Sequence, residues 1–464
     1  MFDPKIYKNR RKILTDQFKS GVLLFLGNQD SPINYPNNYY PFRQDSTFLY
    51  YWGLNEPGLV ALIDIEEGKE TIFGYEYTVD DIVWMGPQKT LAEKSHGAGV
   101  SLTGSLADFE ARVKKALQQG RDVLYLPQYR QGNQIRLHKL FDQPIEKINS
   151  QSSRNFIEGV VAQRSVKGAE EIEEIERALE ITYELHTLAM KKIKPGIYER
   201  EIVGELQGKA FQMGGSLSFQ IIFSIHGETL HNLLYNNLMK TGDMVVNDCG
   251  GESALNYAGD ITRTIPVSGK FSSKQREIYE IVLAAQIKAI ESIGPGKKYL
   301  DIHLSTAREM TQGLIDLGIM RGNTLDAVQS GAHALFFPHG LGHMMGLDVH
   351  DMENLGENYV GYDQTVQRSQ QFGLAYLRMA KALQPGFVLT VEPGIYFIPE
   401  LIDLWKKEKK WKQFINFDKV DRYRNFGGIR IEDDVLVTQE ESKILGRLIP
   451  KTAEEVEGVM GSKK

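Results

Sequence analysis

Over the first third of the chain, apolar residues fall in short runs separated by polar turns, and the runs have strand length. Residues 21–27 (GVLLFLG) read as a buried strand, as do 48–54 and 59–65, and 69–75 is a further candidate. Between 106 and 119 the apolar positions take helical spacing, with Gly120 placed to end the helix. A strand pattern returns over 122–127. The region therefore reads as a mixed α/β domain closing near residue 150, where 149–153 (NSQSS) has the composition of a polar linker.

Beyond the linker the spacing changes. Residues 169–192 carry Ile172, Ile175, Leu179, Leu185 and Leu188 mainly on one side, which predicts a long helix stopped by Pro195-Gly196 and followed by a second helix over 199–213. Further along, the same order recurs. Ser272 and Ser273 cap a helix bearing Ile278, Ile281, Val282, Ala285 and Ala289; it stops at Gly294-Pro295-Gly296, and another helix covers 300–317. Helix, Pro-Gly break, helix, then strands, stated twice, predicts an internally duplicated domain with a site where its halves meet. The expected fold class is α/β, divided into 1–153 and 154–464.

Bulk properties exclude several function classes. A chain of 464 residues exceeds one ordinary core, which agrees with two domains. The apolar share of 42% and charged share of 25% describe a soluble globular protein. Net charge is −6 with no large basic block, so no nucleic-acid partner is expected; residues 406–410 (KKEKK) are interrupted by acid and read as a solvated face. No apolar run reaches the roughly 18 residues of a membrane span, and the opening MFDPKIYKNRRKIL has no apolar signal core. Cys249 is the one cysteine, which rules out an internal disulfide framework and leads to a cytoplasmic expectation.

Within the second region lie the residues that carry chemistry. Residues 247–251 (NDCGG) and 259–264 (GDITRT) read as two strands joined by a turn near 253–255. Folding about residue 254 sets Asp248 opposite Asp260, and cross-strand Cβ atoms lie roughly 5 Å apart. Two such carboxylates repel unless a cation or a proton intervenes. Cys249, one residue on, points to the other face and reads as a packed thiol. His339, His343 and His350 fall within residues 338–351, where glycines at 340, 342 and 346 favour a bent backbone over a helix. Glu392 ends an apolar strand and is pinned by Pro393 and Gly394. Alternation along 427–437 puts Arg430 and Glu432 on one strand face, either as a structural ion pair or as part of a site. Asp248, Asp260, Glu392 and Glu432 with His343 would balance two divalent cations. Oxygen-rich ligation without thiolate favours Mn, Mg, Co or Zn over soft-metal chemistry.

These motifs, NDCGG…GDITRT, PHGLGH…DVHD, TVEPGIYF and GIRIEDD, resemble the proline-specific branch of the methionine-aminopeptidase-like metallopeptidases, the group containing aminopeptidase P and prolidase. Residues 40–57 (YPFRQDSTFLYYWGLNEP) resemble the signature of that family's N-terminal domain. The resemblance implies an N-terminal aminopeptidase P-type domain and a pseudo-symmetric "pita-bread" catalytic domain. It implies that Asp248 chelates one metal and Asp260 bridges two. His343 completes one ion with Glu392 on the same side, and Glu432 bridges. It further implies that Glu392 is the general acid/base, that His350 steadies the tetrahedral intermediate, and that His231 and His339 contact substrate. Arg430 and Arg378 would hold a substrate carboxylate. A homo-oligomer, dimer or tetramer, comes with the family.

Departures from the family pattern narrow the reading. Asn232 follows His231 where the family often has Tyr, which bears on substrate contacts and not on metal binding. A segment over 401–424, expected to be helical, is extra, and 395–404, 63–69 and 83–86 look prolidase-like. Trp84 is either a residue that caps a neighbouring subunit's cleft or an ordinary buried Trp. The implied activity is removal of an N-terminal residue before proline. The near alternative is hydrolysis of Xaa-Pro dipeptides alone. More distant ones are a metal-free creatinase-like enzyme, from which the five intact ligands argue away, and a non-catalytic binding protein on the same fold.

Overall fold

The computed structural model describes residues 1–461. It divides into two compact units: residues 1–164 together with 352–359, and residues 165–351 together with those from 360 onward. Among the described residues no helix is long and apolar enough to cross a membrane.

The first unit is built on one sheet of five strands, β1 (Val22–Leu26), β2 (Val60–Asp64), β3 (Lys69–Phe73), β4 (Leu102–Gly104) and β5 (Val123–Tyr125). Their order is β4-β3-β2-β1-β5, antiparallel at the centre and parallel at both edges. β1 is buried along its whole length, and Leu24 and Leu26 share a core with Phe109 and Val113 of the helix Leu106–Gln118. Ser105 caps that helix, and Gly120 just beyond it takes the left-handed φ of +71°. The strand expected over 48–54 is instead the helix Ser46–Trp52. Asp45 caps it by accepting the Phe48 N–H at 2.9 Å, and Gly53 ends it with a φ of +66°. All seven of its residues are buried, so no polar face was present to reveal a helical period. The polar stretch 149–153 is a bonded corner, not a free linker: Asn149 accepts the Gln128 N–H and Ser153 N–H donates to Tyr125 O. Trp84 is 87% exposed on the helix Val79–Met85, which has no buried residue, so the buried reading of this Trp does not hold.

The second unit bears out the duplicated order. The helices Ala169–Lys192 and Glu199–Gln212 are answered by Ser273–Ser292 and Tyr299–Asp316. Each pair is joined through a Pro-Gly turn whose glycine is left-handed, Gly196 at +89° and Gly296 at +77°. The turns are also bonded alike: Gly196 N–H donates to Met239 O and Gly296 N–H to Leu383 O, with backbone bridges Tyr198–Leu238 and Lys298–Ala382 following. Strands from the first half are β6 (Ser216–Leu217), β7 (Ile222–Ser224), β8 (Met244–Cys249), β9 (Gly251–Glu252) and β10 (Ile261–Pro266). The second half contributes β11 (Val388–Val391), β12 (Gly394–Tyr396), β13 (Gly428–Arg430), β14 (Asp433–Val437) and β15 (Ser442–Ile444). They pair as β10-β8-β7, β11-β14-β15, β12-β13 and β6-β9. The single strand expected over 427–437 is therefore two, broken at Ile431 and Glu432 so that its halves serve different sheets. The segment 401–424 is helical only in part. The helix Pro399–Lys407 ends in a turn where Lys409 and Trp411 adopt φ of +53° and +51°.

Candidate metal centre

β8 and β10 are antiparallel, and their register sets Asp248 opposite Thr262 and Cys249 opposite Ile261. Asp260 therefore lies just beyond the ladder, two residues from its expected partner position. The cause is the turn, which centres one residue later than expected: Glu252 bridges Ala258, and Asn256 takes a left-handed φ of +67°. Gly250 and Gly259 let the two backbones press together there, since a Cβ on Gly250 would overlap Gly259 O. Asp260 is held instead from its own backbone, whose N–H donates to Asp434 Oδ2 at 2.9 Å.

Across from this pair, the glycine-bent segment around 340–346 runs along β11. Thr390 N–H donates to His343 O, and the His343 N–H donates to Thr390 Oγ1 at 3.1 Å. Gly342 is required at this approach, because a Cβ would collide with Thr390 O. His343 Nδ1 lies 3.0 Å from Met344 O, so that nitrogen carries the hydrogen and Nε2 presents its lone pair inward. Burial lowers the pKa of His343 and keeps the ring neutral, the form that binds a metal. Its Nε2 lies 3.4 Å from Asp260 Oδ2 and 3.7 Å from Glu392 Oε1.

Asp260, His343 and Glu432 each point a ligand atom into a space in which all three lie within 4.8 Å of one another. Glu432 accepts the Thr262 hydroxyl at 2.6 Å, and Glu392 receives the Thr390 hydroxyl at 3.5 Å. Burial raises the pKa of Asp260 well above the ordinary carboxylate range, and repulsion from Asp248, Asp434 and Glu392 adds to it. Glu432 is raised by burial and by Asp260 and Glu392; Glu392 is raised by burial, against the pull of His343 and Arg430. Asp248 Oδ2 accepts from Arg430 Nη2 at 2.6 Å, while its buried Oδ1 has no partner. Crowded carboxylates at one neutral imidazole, one of them with an oxygen free, fit divalent cations: positive charge there would relieve the repulsion that now favours protons.

All ten residues singled out from the sequence, His231, Asp248, Asp260, His339, His343, His350, Arg378, Glu392, Arg430 and Glu432, line one cavity of about 630 Å³. Phe219, Leu233, Phe372, Tyr376, Ile398 and Leu401 give it apolar walls. His231 is exposed at the rim, whereas His339 is half-buried; burial and then the Arg430 charge lower the pKa of both, to about 3 for His339. The rings of His343 and His350 meet edge to face with centroids 4.3 Å apart.

Sequence reasoning missed several members of this site. Tyr396 Oη joins His339 Nε2 at 2.8 Å to Arg430 Nη1 at 2.9 Å. Asp434 lies two residues after Glu432, so the alternation used for Arg430 and Glu432 would have found it; Tyr396 lies beyond the Pro393-Gly394 break, past the strand end read from the sequence. Asp433 and Asp434 are adjacent but opposite in character. Burial works to raise Asp433, yet Arg263 at 2.7 Å and Lys451 at 2.6 Å hold it at about 2. Asp434 is raised, by burial and by Asp433. His186 had no signal at all. Buried in the helix Ala169–Lys192, it takes the Asn247 amide at Nδ1 and donates from Nε2 toward Cys249 O and Ile261 O, clamping the hairpin beside each aspartate.

The model of the family described as Metallopeptidase family M24 matches residues 173–439, and that described as Aminopeptidase P, N-terminal domain, matches 7–125. The chain is 30% identical to the Xaa-Pro aminopeptidase of Escherichia coli (strain K12), over 98% of this chain and 97% of that protein. It is 33% identical to the Xaa-Pro dipeptidase of Homo sapiens, over 90% of this chain and 84% of that protein. Among solved structures it is similar to E. coli aminopeptidase P with the inhibitor Pro-Leu, at 29% identity and a TM-score of 0.81, covering 100% of this chain and 99% of that one. The Zn-substituted form of the same enzyme in complex with product matches over the same shares at a TM-score of 0.80.

Proposed function

The chain belongs to metallopeptidase family M24, and from that premise we propose that it is a dinuclear-metal Xaa-Pro aminopeptidase, an exopeptidase that hydrolyses the bond between an N-terminal residue and a following proline. The observation that carries this reading is the convergence of Asp260, His343 and Glu432 within 4.8 Å on the floor of the cavity, with Glu392 3.7 Å from His343. Asp248, Asp260, His343, Glu392 and Glu432 would hold the two ions, Mn first, with Co or Zn as alternatives, because the donors are oxygen and imidazole without thiolate. When bound, the ions supply an acidified water and positive charge against the scissile carbonyl oxygen.

The chain's own residues do the rest. Like any amide nitrogen, the peptide nitrogen of proline departs as an amine only as it gains a proton. Glu392 takes a proton from the attacking water and delivers it to that nitrogen, from a carboxylate 3.7 Å from His343 on the cavity floor. His350 steadies the oxyanion that forms at the carbonyl oxygen. His231 and His339 contact the substrate as neutral imidazoles, and Tyr396 orients His339.

A dipeptidase reading is favoured by the human relative and by two cavity arginines, Arg378 and Arg430, suited to a free carboxylate. Against it, three of the five N–H donors of Arg430 are already engaged within the protein: Nε to Thr262, Nη1 to Tyr396 and Nη2 to Asp248. Mn-loaded protein offered Ala-Pro and a longer Xaa-Pro peptide separates the two. Release of the first residue from the longer peptide is expected, and hydrolysis of the dipeptide alone would defeat the aminopeptidase reading. Buried Cys249 suits a reducing, cytoplasmic setting. Exposed Val79, Val83 and Trp84 suit a homo-oligomer, dimer or tetramer, which sedimentation would measure.

A further inference from the structure

Lys167 and Asp351, 184 positions apart, form an ion pair at 2.7 Å in which each side chain is 1% exposed. Neither residue lines the cavity. Two charges so far from water are costly, and an apolar pair of similar volume would hold the surrounding fold as well or better. What a charge pair adds is a fixed direction, and the contacts of Asp351 show where that direction leads.

The Asp351 N–H donates to Met344 O at 2.9 Å, and the same oxygen accepts from His343 Nδ1 at 3.0 Å. Met344 O is thus the acceptor that sets which nitrogen of His343 carries the hydrogen, and Asp351 is bonded to it. Asp351 Oδ1 also takes the Asp348 N–H at 3.3 Å, closing the loop on which His350 stands. Gly346 packs into the ion pair, since a Cβ there would lie 2.6 Å from Asp351 Oδ2 and 2.8 Å from Lys167 Cε. From the same glycine the carbonyl oxygen accepts the Ala258 N–H at 2.8 Å, two residues before Asp260. Lys167 is itself anchored, its N–H donating to Gly386 O at 2.8 Å at the foot of β11.

We infer that Lys167 is a positioning residue for the metal centre: through Asp351 and Met344 O it holds His343 in the tautomer and direction that bind metal, and it steadies the loop carrying His350. The inference rests on the reading of His343 as a metal ligand. Outer partners of ligating histidines typically change metal affinity by about 10–100-fold when removed. Lys167 would exert that effect from two contacts further away, through a backbone oxygen.

The test is Mn binding to the full chain by isothermal titration, with the melting temperature of the metal-free protein and kcat and KM on a Xaa-Pro peptide. Lys167→Met takes from the buried Asp351 carboxylate its Lys167 counter-charge, so it loses stability as well as affinity. Lys167→Met combined with Asp351→Leu removes both charges and keeps the packing. The double variant is expected to melt near the wild-type temperature yet bind Mn about 10-fold or more weakly. Its KM at saturating Mn should stay within about twofold of wild type, since no cavity residue is touched. Lys167→Arg, which keeps the charge, should recover most of the affinity. A double variant that is folded and binds Mn as tightly as wild type overturns the inference, as does an affinity that merely tracks melting temperature across the set. Absence of Mn binding in the wild-type protein would count against the metallopeptidase reading itself, a separate result.

Discussion

Arg430 Nη2 donates to Asp248 Oδ2 at 2.6 Å, so the floor aspartate outside the Asp260, His343 and Glu432 group is the one an arginine neutralises. In the metal-free protein the guanidinium does for Asp248 part of what bound cations would do for all the carboxylates of the floor. Replacing it by Arg430→Gln leaves a buried carboxylate without a counter-charge, at a cost of about 3–5 kcal/mol to the metal-free protein. Mn should then restore more of the melting temperature in the variant than it adds in wild type. Equal increments would mean that Asp248 does not depend on Arg430.

Glu392→Gln should lower kcat by at least about 100-fold, the smallest effect expected from losing a general acid/base. The amide keeps the shape and the Thr390 hydroxyl contact but cannot carry a proton. Steady-state kinetics on a Xaa-Pro peptide checks this. Ordinary turnover in the variant would remove Glu392 from the proton path.

Asp433→Asn and Asp434→Asn, one position apart, should move stability in opposite directions. The first breaks a buried pairing with Arg263 and Lys451 and should cost about 3–5 kcal/mol. The second keeps an oxygen for the Asp260 N–H while removing a charge that burial disfavours, and should add on the order of 1 kcal/mol to the metal-free protein. Denaturant unfolding after chelation reads both. Comparable losses would show that Asp434 is as well paired as its neighbour.

Two sets of groups shape the pH dependence of the metal-free protein from opposite sides. Burial depresses the folded pKa of His186, His303 and His339 to about 3 and of His333 to about 4. The unfolded chain takes up those protons first, so this stability is present above the unfolded histidine value of about 6.5 and is lost as pH falls below it. Asp260, Glu392, Glu432 and Asp434 are raised, by burial before all else. Their stability is present at low pH and is lost as pH rises through the folded values. Melting temperature against pH should therefore pass through a maximum after chelation, and Mn should flatten the alkaline side alone. An alkaline side unchanged by Mn would contradict this.

Much of the site was legible because it obeys short-range rules. Asp248 and Arg430 lie on strands, Glu392 sits at the Pro-Gly end of β11, Glu432 falls in the break between β13 and β14, and the bent backbone around His343 is written in its glycines. What escaped has physical causes. The β8–β10 register depended on Asn256 taking a left-handed φ, which no apolar pattern encodes. The helix Ser46–Trp52 lacked a period because none of its faces meets water. His186 and Lys167 are fixed by partners 63 and 184 positions away, beyond the reach of any local spacing rule.

The doubled Pro-Gly turns have one more consequence. The first half of the second unit brings only Asp248 and Asp260 to the floor, and the second half brings His343, Glu392 and Glu432. Between them, residues 268–270 follow β10 with Ser268 and Lys270 exposed. A chain severed there would yield two fragments, each short of the donors for a complete centre. Hydrolysis would return only on their reassociation, so the enzyme could serve as a split reporter whose signal is its own chemistry.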